Sequence, residues 1–126
     1  MQKAVMKRTG FARLLFTLVN SVKGLTFLLR KEEAFQLELA LSVVLIPTAV
    51  LIGPSQLEIS LMVAATLFVL IVETLNTAVE AAIDRIGSEY HELSGLAKDL
   101  GSLAVTLSLI LWLVIWAPIV WTQLTG

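Results

Sequence analysis

The apolar positions along the chain fall into four stretches that differ in period. Between Arg8 and Arg30, Phe11, Leu14, Leu15, Leu18, Val19, Val22, Leu25 and Leu29 recur at spacings of three and four, while Arg13, Thr17, Asn20, Ser21 and Gly24 share the other side. That period predicts an amphipathic helix over 8–30, lying in a membrane surface with basic residues suited to an anionic leaflet. From Phe35 to Gly53 the chain is almost wholly apolar, and no charge occurs between Leu39 and Leu57. This predicts a first span over 35–53, kinked rather than broken at Pro47, because neighbouring groups re-satisfy the carbonyl that proline frees. Gly53, Pro54 and Ser55 then form a short turn carrying no Lys or Arg.

A second apolar run begins at Ile59 and reaches Val72, where Glu73, Asn76, Glu80 and Asp84 follow. Its fourteen residues are too few to cross an apolar layer of about 30 Å at about 1.5 Å per residue. The second span therefore continues through the acidic residues, over 59–84. A polar cytoplasmic loop is expected over 85–99. The 27 residues from Leu100 to Gly126 then carry no formal charge, which predicts a third span over 100–122, with Trp112, Trp116 and Trp121 at its aromatic interfacial end. No repeat, linker or low-complexity tract divides residues 1–126. The fold class is an all-α membrane protein, a single domain with three transmembrane helices and an N-terminal amphipathic surface helix.

Composition supports this reading. The chain is 57% hydrophobic and only 15% charged, with a mean hydropathy of +0.88, whereas soluble domains carry about 25% charged residues. The absence of cysteine removes disulfides, thiol catalysis and cysteine-ligated metal sites, and a single histidine excludes a His-rich one. A net charge of -1 gives no reason to expect a nucleic acid partner. The distribution of charge says more. Lys3, Lys7, Arg8, Arg13, Lys23, Arg30 and Lys31 all lie in the first 31 positions, and nothing after Asp99 is charged. The basic start is followed by a stretch interrupted by Asn20, Lys23 and Gly24, with no small-residue cleavage site, so the N-terminus is expected to be retained rather than cleaved as a signal peptide. With the basic N-terminus and the Arg85/Lys98 loop on one side, the positive-inside rule predicts a cytoplasmic N-terminus and a periplasmic or external C-terminus.

Glu73, Asn76 and Glu80 stand at i, i+3 and i+7, so they share one helix face that Asp84 extends by a turn. If the helix leaves the membrane near Asp84, Glu80 lies about 6 Å and Glu73 about 16 Å further in. An acidic residue at a helix centre costs about 2.5–3.5 kcal/mol to insert, and such residues face a protein interior or a wet cavity. The plain alternative is that the stripe only binds helices together through polar contacts. Two functions suit it otherwise: proton or ion coupling in a small transporter using Glu73 and Glu80, and divalent-metal chemistry on a phosphate, where carboxylate oxygens hold Mg²⁺. Glu32 and Glu33, at the same interface as Glu80, supply a carboxylate for a shared metal site, or else only negative charge at a helix N-terminus. The loop over 85–99 gathers Arg85, Ser88, Glu89, Tyr90, His91, Glu92, Ser94, Lys98 and Asp99, with Gly87 and Gly95 as turn-formers. A lone His91 is more often a surface residue than a catalyst, whereas Lys98 is a cation beside an acidic site, suited to clamping a phosphate. No G-x-x-x-x-G-K-[ST], H-R-D, D-F-G or G-x-S-x-G motif occurs. Any nucleotide chemistry here uses an unrelated kind of site.

The stretch VETLNTAVEAAIDRIGSEYHELSGLAKD, Val72 to Asp99, closely resembles the signature of the small prokaryotic membrane diacylglycerol kinases. The likeness extends to GFAR at Gly10 to Arg13, SxKGL at Ser21 to Leu25 and EAFxxE at Glu33 to Glu38. The resemblance implies a homotrimer with active sites shared between protomers in a bacterial inner membrane, and MgATP-dependent phosphorylation of diacylglycerol to phosphatidic acid. It implies Glu73 as general base with Asn76 essential to the site, and Glu32 and Glu80 as metal and ATP ligands. It further implies nucleotide contacts from Arg13, Asn20, Glu89, Tyr90, His91, Lys98 and Asp99. Lipid contacts would come from Ser21, Ala34, Phe35, Glu38, Ser102, Trp116 and Trp121. Asn20 and Val22 stand where the family pattern has aromatic residues, and Ile59 where it has a basic one; Asn20 retains hydrogen bonding without stacking, and Val22 removes an interfacial anchor. Within the superfamily an undecaprenol kinase is the nearest alternative, and the EYHELSG run, Glu89 to Gly95, resembles the diacylglycerol branch. A non-enzymatic membrane scaffold would leave the acidic stripe unexplained.

Overall fold

The computed structural model describes residues 9–126; Lys3, Lys7 and Arg8, and with Arg8 the first position of the expected surface helix, lie outside the described residues. The described residues form four helices: α1 (Gly10–Lys31), α2 (Glu33–Ile52), α3 (Gln56–Ile86) and α4 (Glu92–Thr125). All four are long and apolar enough to cross a membrane, α1 being the least apolar of them.

The segment ending at Glu33 forms one unit and residues 34–126 another. Within the first, α1 keeps its short polar side chains satisfied along its own backbone: the hydroxyls of Thr17, Ser21 and Thr26 donate to the carbonyls of Arg13, Thr17 and Val22 at 2.9, 2.7 and 2.8 Å. Arg30 and Lys31 occupy its last turn, where positive charge complements the helix dipole. Phe11, Leu14, Leu18 and Val22 of the expected apolar face are exposed.

In the second unit, α3 and α4 run antiparallel and make the main packing contact. Pro47 lies inside α2 without interrupting it, in keeping with the expectation that it does not break the helix. The turn to α3 is tight: Gly53 donates its N–H to the Ala49 carbonyl at 2.9 Å, and a Cβ at Gly53 would overlap the Ile59 side chain and lie 2.8 Å from the Ala49 oxygen. Only glycine fits there. α3 then starts at Gln56 rather than at Ile59, because Ser55 and Glu58 form a reciprocal cap: Ser55 Oγ accepts from the Glu58 N–H and donates to the Glu58 carboxylate, both at 3.3 Å.

The polar segment 85–99, expected as a loop, is helical over most of its length. α4 begins at Glu92, and His91 is its N-cap, Nδ1 accepting from the Leu93 N–H at 3.1 Å. Hydropathy marks where a helix meets lipid, whereas capping decides where it begins. With 31 and 34 residues, α3 and α4 extend about 46 and 51 Å at about 1.5 Å per residue, so both outrun the apolar layer.

The core lies toward the end that carries the Gly53 turn, where Ala49, Met62, Ala65 and Trp116 are buried together. Trp112 and Trp116, expected among the residues marking an interfacial end, instead stack on one another with centroids 4.8 Å apart and planes 20° apart. Both indoles face α3: Trp112 Nε1 donates to Thr66 Oγ1 and Trp116 Nε1 to the Met62 carbonyl, each at 3.1 Å. An indole N–H inside an apolar layer needs a partner, and α3 supplies one to each ring. Only Trp121 of the three is widely exposed.

Trp116→Phe is expected to destabilise the protein by about 1–2 kcal/mol through the lost hydrogen bond and ring area, read as an earlier unfolding midpoint in mixed micelles. Trp121→Phe should stay within about 0.5 kcal/mol.

Candidate functional site

The half of α3 that follows the core carries the acidic stripe, and burial along it is graded. Glu73 is 8% exposed, Asn76 and Glu80 are half-buried, and Asp84 is exposed. Thr77, on the same side, is buried and donates its hydroxyl to the Glu73 carbonyl at 3.1 Å, so it adds no free donor near the carboxylates. One turn apart, Asn76 Nδ2 reaches Glu80 Oε1 at 3.4 Å. The carboxylate only accepts, so this bond orients the carboxamide with its nitrogen toward Glu80 and its oxygen away. That oxygen is buried without a hydrogen-bond partner.

The oxygen faces α4 at Gly101, where a Cβ would overlap it. Gly101 escaped the sequence reading. Its only signal was an isolated glycine within a helical run, the usual mark of a close approach.

Glu38 of α2 lies within electrostatic reach of Glu73, and its Oε2 is buried without a hydrogen bond. It lines a cavity of about 160 Å³ together with Leu41, Leu45, Thr66, Val69 and Trp112. The expected lipid-contacting residue thus opens on an apolar space between α2, α3 and α4. Of the other expected lipid contacts, Phe35 is buried, Ala34, Ser102 and Trp121 are exposed, and Trp116 is committed to the core.

The α3–α4 connection surrounds a cleft of about 620 Å³, a volume in the usual range of about 300–1,000 Å³ for small-molecule sites. Glu89, Tyr90 and His91, expected to meet a nucleotide, all line it, beside Gly87, Ser88 and Ser94. Tyr90 is 93% exposed. Lys98 points back across the connection to Asp84, Nζ to Oδ1 3.2 Å. Asp99 beside it is exposed.

Arg13, Asn20, Ser21 and Glu32 belong to the segment ending at Glu33, so the grouping described here is of residues 34–126. Among the described residues, no three acidic or histidine side chains converge as a metal cage. Mg²⁺ with a nucleotide takes only one or two carboxylates and otherwise waters and phosphates. Half-buried Glu80, whose hydrogen bond comes from a neutral amide, suits that limited role.

The prokaryotic diacylglycerol kinase family matches residues 19–120. The chain is 42% identical over 113 residues to a protein named diacylglycerol kinase in Haemophilus influenzae, covering 90% of this chain and 96% of the relative. A protein of the same name in Escherichia coli K12 is 40% identical over 115 residues, covering 91% and 94%. Another, in Pseudomonas aeruginosa, is 45% identical over 112 residues, covering 89% and 91%. With most of its length matched both to the family and to these relatives, the chain belongs to the prokaryotic diacylglycerol kinase family.

Proposed function

We propose that the chain transfers the γ-phosphoryl group of MgATP to the hydroxyl of diacylglycerol, giving phosphatidic acid and ADP, with Glu73 as the general base. Kinase action on diacylglycerol follows from the family and the relatives' names. The observation that carries the residue assignment is the graded stripe on α3, a carboxylate buried at Glu73 with an amide and a second carboxylate at Asn76 and Glu80 nearer the polar end. A lipid hydroxyl arrives from the apolar layer and ATP from the aqueous side, and the stripe runs between the two.

In this reading Glu73 takes the proton from the lipid hydroxyl as its oxygen bonds to the γ-phosphorus and the bond to the ADP oxygen breaks. Asn76 contacts Glu80 at 3.4 Å; Glu80 would serve as a metal-side carboxylate, and the family resemblance assigns Glu32 the same role. Mg²⁺, when bound with ATP, neutralises charge on the phosphates. Lys98 adds a cation to the phosphates. Its bond to Asp84 is between exposed groups, worth about 0–1 kcal/mol, so exchanging it for a phosphate costs little. Arg13, Asn20, Glu89, Tyr90, His91 and Asp99 contact the nucleotide. Ser21, Ala34, Phe35, Glu38, Ser102, Trp116 and Trp121 contact the lipid, Trp116 at most through what its packing on α3 leaves uncovered.

The same proposal has α2, α3 and α4 spanning a bacterial inner membrane, α1 on its cytoplasmic surface and the C-terminus periplasmic. The basic residues before α2 and at the α3–α4 connection support it, as does the Gly53 turn without Lys or Arg. Assembly as a homotrimer with sites shared between protomers rests on the family resemblance.

Purified protein in mixed micelles, given labelled ATP and Mg²⁺, is expected to label diacylglycerol in preference to undecaprenol. Failure to label any lipid would refute the kinase reading, and a marked preference for undecaprenol would refute the branch. Glu73→Gln should lower turnover about 100- to 10,000-fold while the variant folds. Lys98→Ala should raise the KM for MgATP with an unfolding midpoint shifted by less than about 0.5 kcal/mol. Alkaline phosphatase fused after Gly126 is expected to be active; a cytoplasmic, inactive fusion overturns the three-span topology.

A further inference from the structure

Asn76 is bonded on one side only. Its amide nitrogen reaches Glu80 Oε1 at 3.4 Å, a long contact that small rotations of the carboxamide would break. Its oxygen is buried and unpartnered, and what confines it is the backbone of α4 at Gly101. A Cβ at Gly95, in the same helix, meets nothing within 4 Å. Glycine in a helix interior is ordinarily a weakness, and alanine there ordinarily strengthens the helix. A glycine where α4 meets the Asn76 oxygen therefore needs a reason beyond helix formation.

We infer that Gly101 is a positioning residue for Glu80: by leaving room for the Asn76 carboxamide oxygen against α4, it keeps the amide nitrogen directed at the Glu80 carboxylate and so sets the orientation in which Glu80 meets the metal. The inference rests on the proposed reading of Glu80 as a metal-side carboxylate. A side chain at Gly101 pushes the carboxamide away from α4. The amide plane then turns, the contact with Glu80 is lost, and the carboxylate is left free to rotate. Groups that orient a metal-binding carboxylate typically change metal affinity about 10- to 100-fold when removed.

The test is Mn²⁺ binding to the full chain in mixed micelles with a non-hydrolysable ATP analogue, followed by the loss of its free electron paramagnetic resonance signal beyond that caused by the analogue in protein-free micelles. Wild type should bind Mn²⁺, and Glu80→Gln should weaken that binding; if either fails, the metal reading of Glu80 fails and the inference with it. Given that result, Gly101→Ala should raise the Mn²⁺ Kd about 10-fold, and the KM for MgATP should rise while that for diacylglycerol stays within about twofold. A Gly101→Ala protein that binds Mn²⁺ as wild type does would overturn the positioning role alone. So would equal rises in both KM values, the mark of a general packing defect. The double variant Asn76→Ala/Gly101→Ala guards against a folding failure of the single one, because Asn76→Ala removes the overlapping atom. It should unfold no earlier than Asn76→Ala and bind Mn²⁺ within about twofold of it, and a further loss of affinity would overturn the inference.

Discussion

A carboxylate on a helix long and apolar enough to cross a membrane cannot be left to lipid, and Glu73 on α3 is buried accordingly. Leaving it exposed at a helix centre would cost about 2.5–3.5 kcal/mol on insertion scales. It is instead 8% exposed, on a helix packed against α4. Enclosure of this kind needs close helix approach. In lipid, where apolar burial between helices gains little over contact with acyl chains, close approach depends on small residues and polar bonds. Both occur, at opposite ends: Gly101 lets α4 reach the Asn76 amide, while Thr66 and the Met62 carbonyl receive the indoles of Trp112 and Trp116.

The two ends therefore do different work. Around the Gly53 turn, Ala49, Met62, Ala65 and Trp116 form a dry core closed by two indole hydrogen bonds. That end gives the α3–α4 pair its register. Toward the opposite end, around residues 73–101, Lys98 of α4 meets Asp84 of α3 in an exposed ion pair and Gly101 comes close to the Asn76 side chain. Register fixed at the first end carries to the second, because α3 and α4 are continuous between them.

Much of this was legible along the chain, because one-helix properties are periodic. The amphipathic helix over 8–30 corresponds to Gly10–Lys31, and Glu73, Asn76 and Glu80 share a face because i, i+3 and i+7 must. Helix starts were less legible from hydropathy, although Ser55 and Glu58 carry the spacing of a capping box and His91 caps through a ring nitrogen rather than the usual oxygen. The tryptophans misled for a related reason. An indole with its N–H outward suits an interface, but one offered a carbonyl or hydroxyl by a neighbouring helix suits the interior equally well, and only the neighbour decides. Contacts between helices, such as Gly101 with Asn76 or Glu38 near Glu73, follow no period in the sequence. They depend on crossing geometry that no single helix encodes.

The gradient along α3 also matches what a reaction between a lipid and a nucleotide demands of its two halves. A base has to remain in one place, and Glu73, the proposed base, is buried. A nucleotide has to enter and leave in every cycle, and the residues expected to meet it are exposed: Tyr90 at 93%, and Lys98 in an ion pair whose side chains are 49% and 71% exposed. Exposed pairs of that sort are screened by water and contribute about 0–1 kcal/mol. Lys98 can therefore leave Asp84 and return without disturbing the fold, as the proposed phosphate contact requires. Asn76 and Glu80 lie between these regimes, half-buried and joined by a single contact. The room that Gly101 leaves beside the Asn76 oxygen lets α4 approach this part of α3 without placing another side chain there.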